Sequence, residues 1–280
     1  MAEPAAETVH ASMTVLRTGA VAQVRMTGPG RGNAMGPDFW RELPEVFGAL
    51  DADPRVRAIL ITGSGRNFSA GLDLAAMGEV MAPLVSGQPG LAAPRTVFLE
   101  QLTQMQAAIT AVADCRAPVI AAVQGRCIGG GVDLIAACDV RYASADATFS
   151  VREVKVGIVA DLGSLQRLPA IIGDGHLREL ALTGRDVDAV RAERIGLVNE
   201  VFADAEGVLA AAHACAAEIA ANPPLVVRGV KAVLDNDRVD RVAAGLRYVG
   251  AWNSAFLASE DLGEAVSAVL ARREAQFRGR

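Results

Sequence analysis

Apolar and polar positions alternate from Thr14 to Leu16 and again from Val21 to Met26, on either side of Thr18-Gly19-Ala20. This period of two around a turn former predicts a β-hairpin. Thr27-Gly28-Pro29-Gly30-Arg31-Gly32-Asn33 breaks the pattern. Phe39, Leu43, Val46, Phe47 and Leu50 then recur at helical spacing, which predicts a helix over 37–50 that stops before Pro54. An apolar run at 58–62, closed by Gly63-Ser64-Gly65, predicts a buried strand. Phe68-Ser69-Ala70-Gly71-Leu72-Asp73-Leu74 follows as a turn of small residues opening a helix. Met81 to Pro94, punctuated by Pro and Gly, is expected to be mobile.

Helical spacing returns over 96–114, and Val119-Ile120-Ala121-Ala122-Val123 reads as a second buried strand, so the order is βαβ. Gly129-Gly130-Gly131 starts a short helix over 132–137, and a further strand is expected at 139–143. Beyond Ser164 the spacing is mostly helical, at 164–172, 176–183, 189–195, 204–221, 224–235, 241–258 and 261–273. The expected organisation is a flexible tail at 1–13, an α/β core at 14–200 and a helical C-terminal region at 201–280.

Composition narrows the function classes. In 280 residues, 51% hydrophobic side chains provide for a substantial core, and only 4% aromatics points to close packing through small residues. A net charge of -5 without a basic block argues against a nucleic-acid partner. Cys115, Cys127, Cys138 and Cys215 have no CxxC spacing, and with only His10, His176 and His213 no zinc ligand set assembles, so no metal is expected. No apolar run reaches the ~20 residues of a membrane span. Neither end carries a recognisable targeting pattern, which gives the expectation of a cytoplasmic, bacterial protein.

Two glycine-rich turns carry candidate chemistry. A glycine triplet at a helix start leaves backbone N–H groups aligned with the helix dipole, and Ala70-Gly71-Leu72 could present another. Two such amides on one carbonyl oxygen would form an oxyanion hole; the alternatives are close packing or a dinucleotide phosphate site. Three carboxylates, Asp133, Glu153 and Asp161, sit in or beside apolar stretches, where burial is costly. They are either catalytic acids or a cap and two surface groups. A serine hydrolase built on Ser69, Ser150 and His176 lacks a Gly-x-Ser-x-Gly elbow. A non-catalytic scaffold has no evident reason to keep three such acids.

The run Ala121-Ala122-Val123-Gln124-Gly125-Arg126-Cys127-Ile128-Gly129-Gly130-Gly131-Val132-Asp133-Leu134, continued by Cys138-Asp139-Val140-Arg141-Tyr142-Ala143, resembles the signature of the crotonase (enoyl-CoA hydratase/isomerase) family. Asn33-Ala34-Met35, Phe68 to Leu74, Phe149, Glu153, Val156-Gly157, Gly163 and Gln166-Arg167-Leu168-Pro169 extend the likeness from about Thr14 to the end. The resemblance implies a crotonase-like α/β fold, a repeated ββα spiral with a helical C-terminal region. It also implies an acyl-CoA substrate, no cofactor beyond the coenzyme A of that substrate, and a homo-oligomer, a trimer or dimer of trimers. By resemblance the amides of Leu72 and Gly130 form the oxyanion hole, and Ala70, Leu72, Asp73, Leu74, Ala75, Ala76 and Gly130 line the CoA path.

Within the family, hydratases usually have Glu where this chain has Asp133, and a Pro-Gly pair after the second acid. Asp133, Glu153 and Asp161 instead resemble the acid set of the Δ3,5-Δ2,4-dienoyl-CoA isomerases, as does Tyr248-Val249-Gly250-Ala251-Trp252-Asn253. That likeness implies Glu153 as base at C2, Asp161 as acid at C6 and Asp133 in support; an enoyl-CoA hydratase is the alternative. Thr27-Gly28-Pro29 and Ala75 depart from the family pattern, leaving Arg31 as a substitute contact for the CoA phosphates.

Overall fold

The computed structural model describes residues 6–76, 78, 84, 90–271 and 273–280. Most of the segment expected to be mobile, 81–94, lies outside the described residues, as does the side chain of Arg31.

Strands β1 (Ala6–Val9), β2 (Met13–Thr18) and β3 (Val21–Met26) pair antiparallel, and Gly19 makes the β2–β3 turn at φ +60. The hairpin is as expected. The tail is not wholly loose, because residues 6–9 add a strand to it; all four are exposed, so no buried stripe marks them in the sequence. Helix α1 (Pro37–Ala52) leads to β4 (Ala58–Gly63), α2 (Ala92–Asp114) to β5 (Val119–Val123), and α3 (Gly130–Ala136) to β7 (Val140–Ser144). With β10 (Glu200–Phe202) these complete a seven-stranded sheet in the order β1-β2-β3-β4-β5-β7-β10, parallel from β3 onward.

All residues of β4 and β5 are buried, as parallel strands covered on both faces must be. Their side chains divide by period two. Ile59, Ile61, Val119, Ala121 and Val123 join the main core with α1 and α2, whereas Ala58, Leu60, Ile120 and Ala122 meet Val208, Ala212 and Ala216 of helix α8 (Ala205–Ala221). The expected boundary at 200 is therefore shifted: α8 covers the sheet and belongs to the core in packing.

Three strands of two or three residues, β6 (Arg126–Ile128), β8 (Thr148–Ser150) and β9 (Val187–Asp188), form a second sheet that sequence patterning does not reveal. The remaining helices are α4 (Ser164–Arg167), α5 (Pro169–Ile172), α6 (Asp174–Thr183), α7 (Ala189–Arg194), α9 (Pro224–Asp235), α10 (Val239–Phe256) and α11 (Glu260–Ala271). Cys115, Cys127 and Cys138 are buried thiols whose pKa burial drives up, to about 11 for Cys115 and about 12 for Cys138. They are packing residues rather than nucleophiles. Among the described residues no helix is long and apolar enough to cross a membrane.

Candidate active site

Asn33 ties the first two glycine-rich turns together. It takes a left-handed conformation (φ 47), and its Nδ2 donates to the carbonyls of Ser64, Asn67 and Phe68, while Ser69 Oγ donates to Asn33 O. Met35 then bridges Leu72 in parallel, with Met35 N donating to Gly71 O and Asp73 N to Met35 O. This alternation turns the amide of Leu72 away from Met35. On the neighbouring turn Gly129 N donates to Ser150 O, and Gly130, as first residue of α3, has no helical acceptor for its own N–H. Among the described residues neither the Leu72 nor the Gly130 amide has a hydrogen-bond acceptor.

The two amides border one small space. A Cβ placed on Gly130 would lie 3.9 Å from Leu72 N, and one on Gly71 would lie 3.5 Å from Gly130 N. Gly71, at φ +86, comes so close to Ile128 that a Cβ would sit 2.7 Å from that carbonyl oxygen, so only glycine allows this approach.

A cavity of about 280 Å³ opens beside these amides. Its wall includes Ala70, Leu72, Leu74 and Gly130 together with the apolar Phe98, Leu102 and Met105 of α2. Glu153 and Asp161 both line it. Asp73, Ala75 and Ala76 do not; they form a turn beyond the wall, where Asp73 Oδ1 accepts the amides of Ala75 and Ala76. Asp133 also stays off the wall. It is fully buried behind it, with Oδ1 accepting the amide of Ser164 at 2.5 Å.

The three acids share one electrostatic neighbourhood. Burial raises Asp133 to about 6, against hydrogen bonds from Ser164 and the charge of Arg167. Burial raises Asp161 to about 7, against its bond from Asn253 and reinforced by Asp133. Burial pushes Glu153 well above the carboxylate range, and the charges of Asp133 and Asp161 push the same way. Part of Glu153 faces the cavity, but its Oε2 is buried without a partner among the described residues. Such carboxyls hold and pass protons near neutrality.

Asp161 is fastened from two helices. Asn253 Nδ2 of α10 donates to its Oδ2 at 2.6 Å, and Gln106 Nε2 of α2 donates to its backbone oxygen at 2.8 Å. Sequence reasoning gave neither residue a role in the site. The available signal was a polar side chain in a core-facing stripe: Gln106 stands with Leu102, Met105 and Ile109, and Asn253 with Leu246 and Val249. The serine hydrolase alternative fails geometrically. Ser69 and Ser150 direct their hydroxyls at the carbonyls of Asn33 and Gly184, and His176 is exposed.

An amide pair beside two cavity-lining carboxyls fits acid–base chemistry on a carbonyl compound, and comparison with known proteins agrees. Residues 17–280 match the family described as enoyl-CoA hydratase/isomerase, and the chain belongs to that family. The Arabidopsis thaliana peroxisomal Δ3,5-Δ2,4-dienoyl-CoA isomerase is 46% identical over 253 residues, 89% of each chain. The Homo sapiens mitochondrial Δ3,5-Δ2,4-dienoyl-CoA isomerase is 43% identical over 256 residues, 91% of this chain and 77% of that one. A crystal structure of an enoyl-CoA hydratase/isomerase from Mycobacterium paratuberculosis superposes with a TM-score of 0.81 at 32% identity, covering 91% of this chain and 97% of that one. The crotonase-like fold is thereby shown. The cytoplasmic placement is corrected, since these enzymes are described as peroxisomal and mitochondrial. Targeting segments are read by receptors outside the folded body, so a core sequence does not carry the compartment.

Proposed function

We infer that the chain is an isomerase converting 3,5-dienoyl-CoA to 2,4-dienoyl-CoA. The observation that carries this is the opening of Glu153 and Asp161 into one cavity bordered by the free amides of Leu72 and Gly130. The reaction removes a proton from C2, next to the thioester, and adds one at C6, so two carboxyl groups must address the two ends of one conjugated system. In the forward direction Glu153 takes the C2 proton and the electron pair spreads into a dienolate. The negative charge on the thioester oxygen is held by the two amides, and Asp161 delivers a proton to C6, restoring the carbonyl. Because the carboxyls interact, their protonation belongs to the pair, and a net transfer of one proton from Glu153 to Asp161 closes the cycle. These steps require no cofactor beyond the coenzyme A of the substrate.

Ala70, Leu72, Leu74 and Gly130 carry the thioester end, with Asp73, Ala75 and Ala76 continuing the path toward coenzyme A outside the cavity. Asp133 supports the carboxyl pair from behind. A hydratase would need Asp133 to activate a water together with Glu153, and its engagement by Ser164 behind the wall counts against that. The chain also forms a homo-oligomer, a trimer or dimer of trimers, through its C-terminal helices. Supporting this, α9 exposes Leu225, Val226, Val230 and Val233, and α10 exposes Tyr248, Trp252 and Phe256. Size-exclusion chromatography with light scattering tests the assembly.

Ultraviolet monitoring of 3,5-dienoyl-CoA, beside hydration of a 2-enoyl-CoA, tests the activity. Conversion of the dienoyl substrate, abolished in Glu153→Gln and Asp161→Asn, is expected. Preferred hydration of the enoyl substrate would replace this reading with the hydratase.

A further inference from the structure

Asn253 reaches Asp161 from a helix 92 residues further along the chain, and its orientation is fixed by a third group. The amide Nδ2 donates to Val159 O at 2.9 Å as well as to Asp161 Oδ2 at 2.6 Å. A backbone carbonyl can only accept, so the side of Asn253 that faces Val159 must be its NH₂ group. Both hydrogens are then assigned, and Asp161 Oδ2 necessarily receives one. A proton on Oδ2 would collide with it, so a proton held by Asp161 resides on Oδ1. Asn253 is almost wholly buried and cannot swing away. Gln106 fixes the backbone of Asp161 against the same helix, donating to Asp161 O and, at 3.2 Å, to Leu246 O.

We propose that Asn253 is a positioning residue that makes Oδ1 of Asp161 the proton-exchanging oxygen and biases the pair toward ionised Asp161 beside neutral Glu153. This rests on the isomerase reading for its function and deepens it: a donor serves Asp161, whereas Glu153 Oε2 has none among the described residues. Hydrogen bonding to a carboxylate favours its charged form, and an unserved buried carboxyl keeps its proton. The groups facing Asp161 agree. Asp133 on α3 resists its ionisation, and the charge of Asp161 in turn favours the neutral form of Glu153, on the turn at Glu153–Val156. Arg167 of α4 acts on Asp133, and Arg152 at the cavity is paired with Asp186. From α2 and α10 the contacts are the neutral Gln106 and Asn253, so the amide of Asn253 supplies the asymmetry. A carboxylate at Asp161 that must receive a proton before delivering one makes the resting pair run most directly from the 2,4-dienoyl side. In the forward direction the proton first passes from Glu153 to Asp161.

The test has two arms. Carboxyl ¹³C titration of the wild-type protein, with signals assigned through Asp161→Asn and Glu153→Gln, needs no substrate. Asp161 is expected to ionise at lower pH than Glu153, and the opposite order overturns the proposal. In Asn253→Leu and the smaller Asn253→Ala, the acid limb of kcat/KM is expected to move up by about one pH unit with KM little changed. Asn253→Ser, which restores a donor, should recover part of that shift. A fall in kcat or in melting temperature with an unmoved pH profile would assign Asn253 a structural role only and overturn the proposal. A wild type inactive on the dienoyl substrate but showing the expected carboxyl order would remove the isomerase reading while leaving the proton placement intact.

Discussion

Ser164 donates its backbone amide to Oδ1 of Asp133 at 2.5 Å, joining a fully buried carboxyl on α3 to the turn that carries Asp161. Asparagine can accept the same hydrogen, whereas leucine cannot. Asp133→Asn is expected to fold with near wild-type stability, and Asp133→Leu to lose about 1–3 kcal/mol, the cost of an unsatisfied buried donor. Guanidinium denaturation of the two variants measures the difference. Because Asp133 is off the cavity wall, Asp133→Asn should lose far less rate than the roughly 10²–10⁴-fold expected of Glu153→Gln or Asp161→Asn. Equal losses would place Asp133 at the reacting atoms.

The raised carboxyls make stability depend on pH in a defined direction. In the folded state Asp133 is raised to about 6 and Asp161 to about 7 from an ordinary value of 3.8. Between these limits the folded protein binds more protons than the unfolded chain, so stability falls as pH rises. The favourable contribution is complete below the ordinary carboxylate range and is lost through about pH 6–7. Asp161→Asn removes one such group. Its stability relative to wild type should therefore improve between pH 5 and pH 8, by roughly 1–3 kcal/mol. A pH-independent difference would mean that Asp161 is not strained toward its neutral form.

The parts of the site built from local chemistry were legible in the sequence. Gly129-Gly130-Gly131 and Gly71 announce close backbone approach, and Asp133 stands out within an apolar helix. The division of labour among the acids came from the family likeness and not from the residues themselves, because it depends on which side of α3 faces the cavity and on partners far away. Gln106 and Asn253 are 55 and 92 residues from Asp161, and only folding brings them to it. The hairpin and buried strands followed from periodicity, whereas β6, β8 and β9 are too short for any period to register. The place of α8 in the core was also hidden, since an alanine-rich face carries little amphipathic contrast.

Gly71 and Gly130 separate folding from catalysis. A Cβ on Gly130 would meet Met35 Sδ at 2.9 Å, the far part of a flexible side chain, and would intrude on the space between the two amides. Gly130→Ala is expected to fold but lose about 10²–10³-fold in kcat, the scale of one lost oxyanion donor. A Cβ on Gly71 would meet the rigid carbonyl of Ile128 in a left-handed conformation, so Gly71→Ala should lower the melting temperature as well. Parallel activity and thermal unfolding measurements distinguish them. Full activity in Gly130→Ala would show that the substrate oxygen does not occupy the space between the two amides.

Lys231 of α9 joins the helical region to the sheet. Its Nζ donates to Asp139 Oδ2 at 2.7 Å, and the same oxygen accepts the amide of Val119, the first residue of β5. Lys231 is buried, whereas Asp139 keeps a quarter of its side-chain surface in water. Removing the lysine therefore leaves a partly hydrated carboxylate rather than a fully buried one. Lys231→Met should cost about 1–3 kcal/mol, below the loss typical of a wholly buried pair. Since α8 belongs to the core and α9 is tied to β5, urea unfolding should remain one transition with an unchanged slope and a lower midpoint. Activity per folded molecule should hold, because neither Lys231 nor Asp139 lines the catalytic cavity. A second transition in the variant would show that the helices beyond α8 unfold by themselves, with the Lys231–Asp139 contact as the tie that normally prevents it.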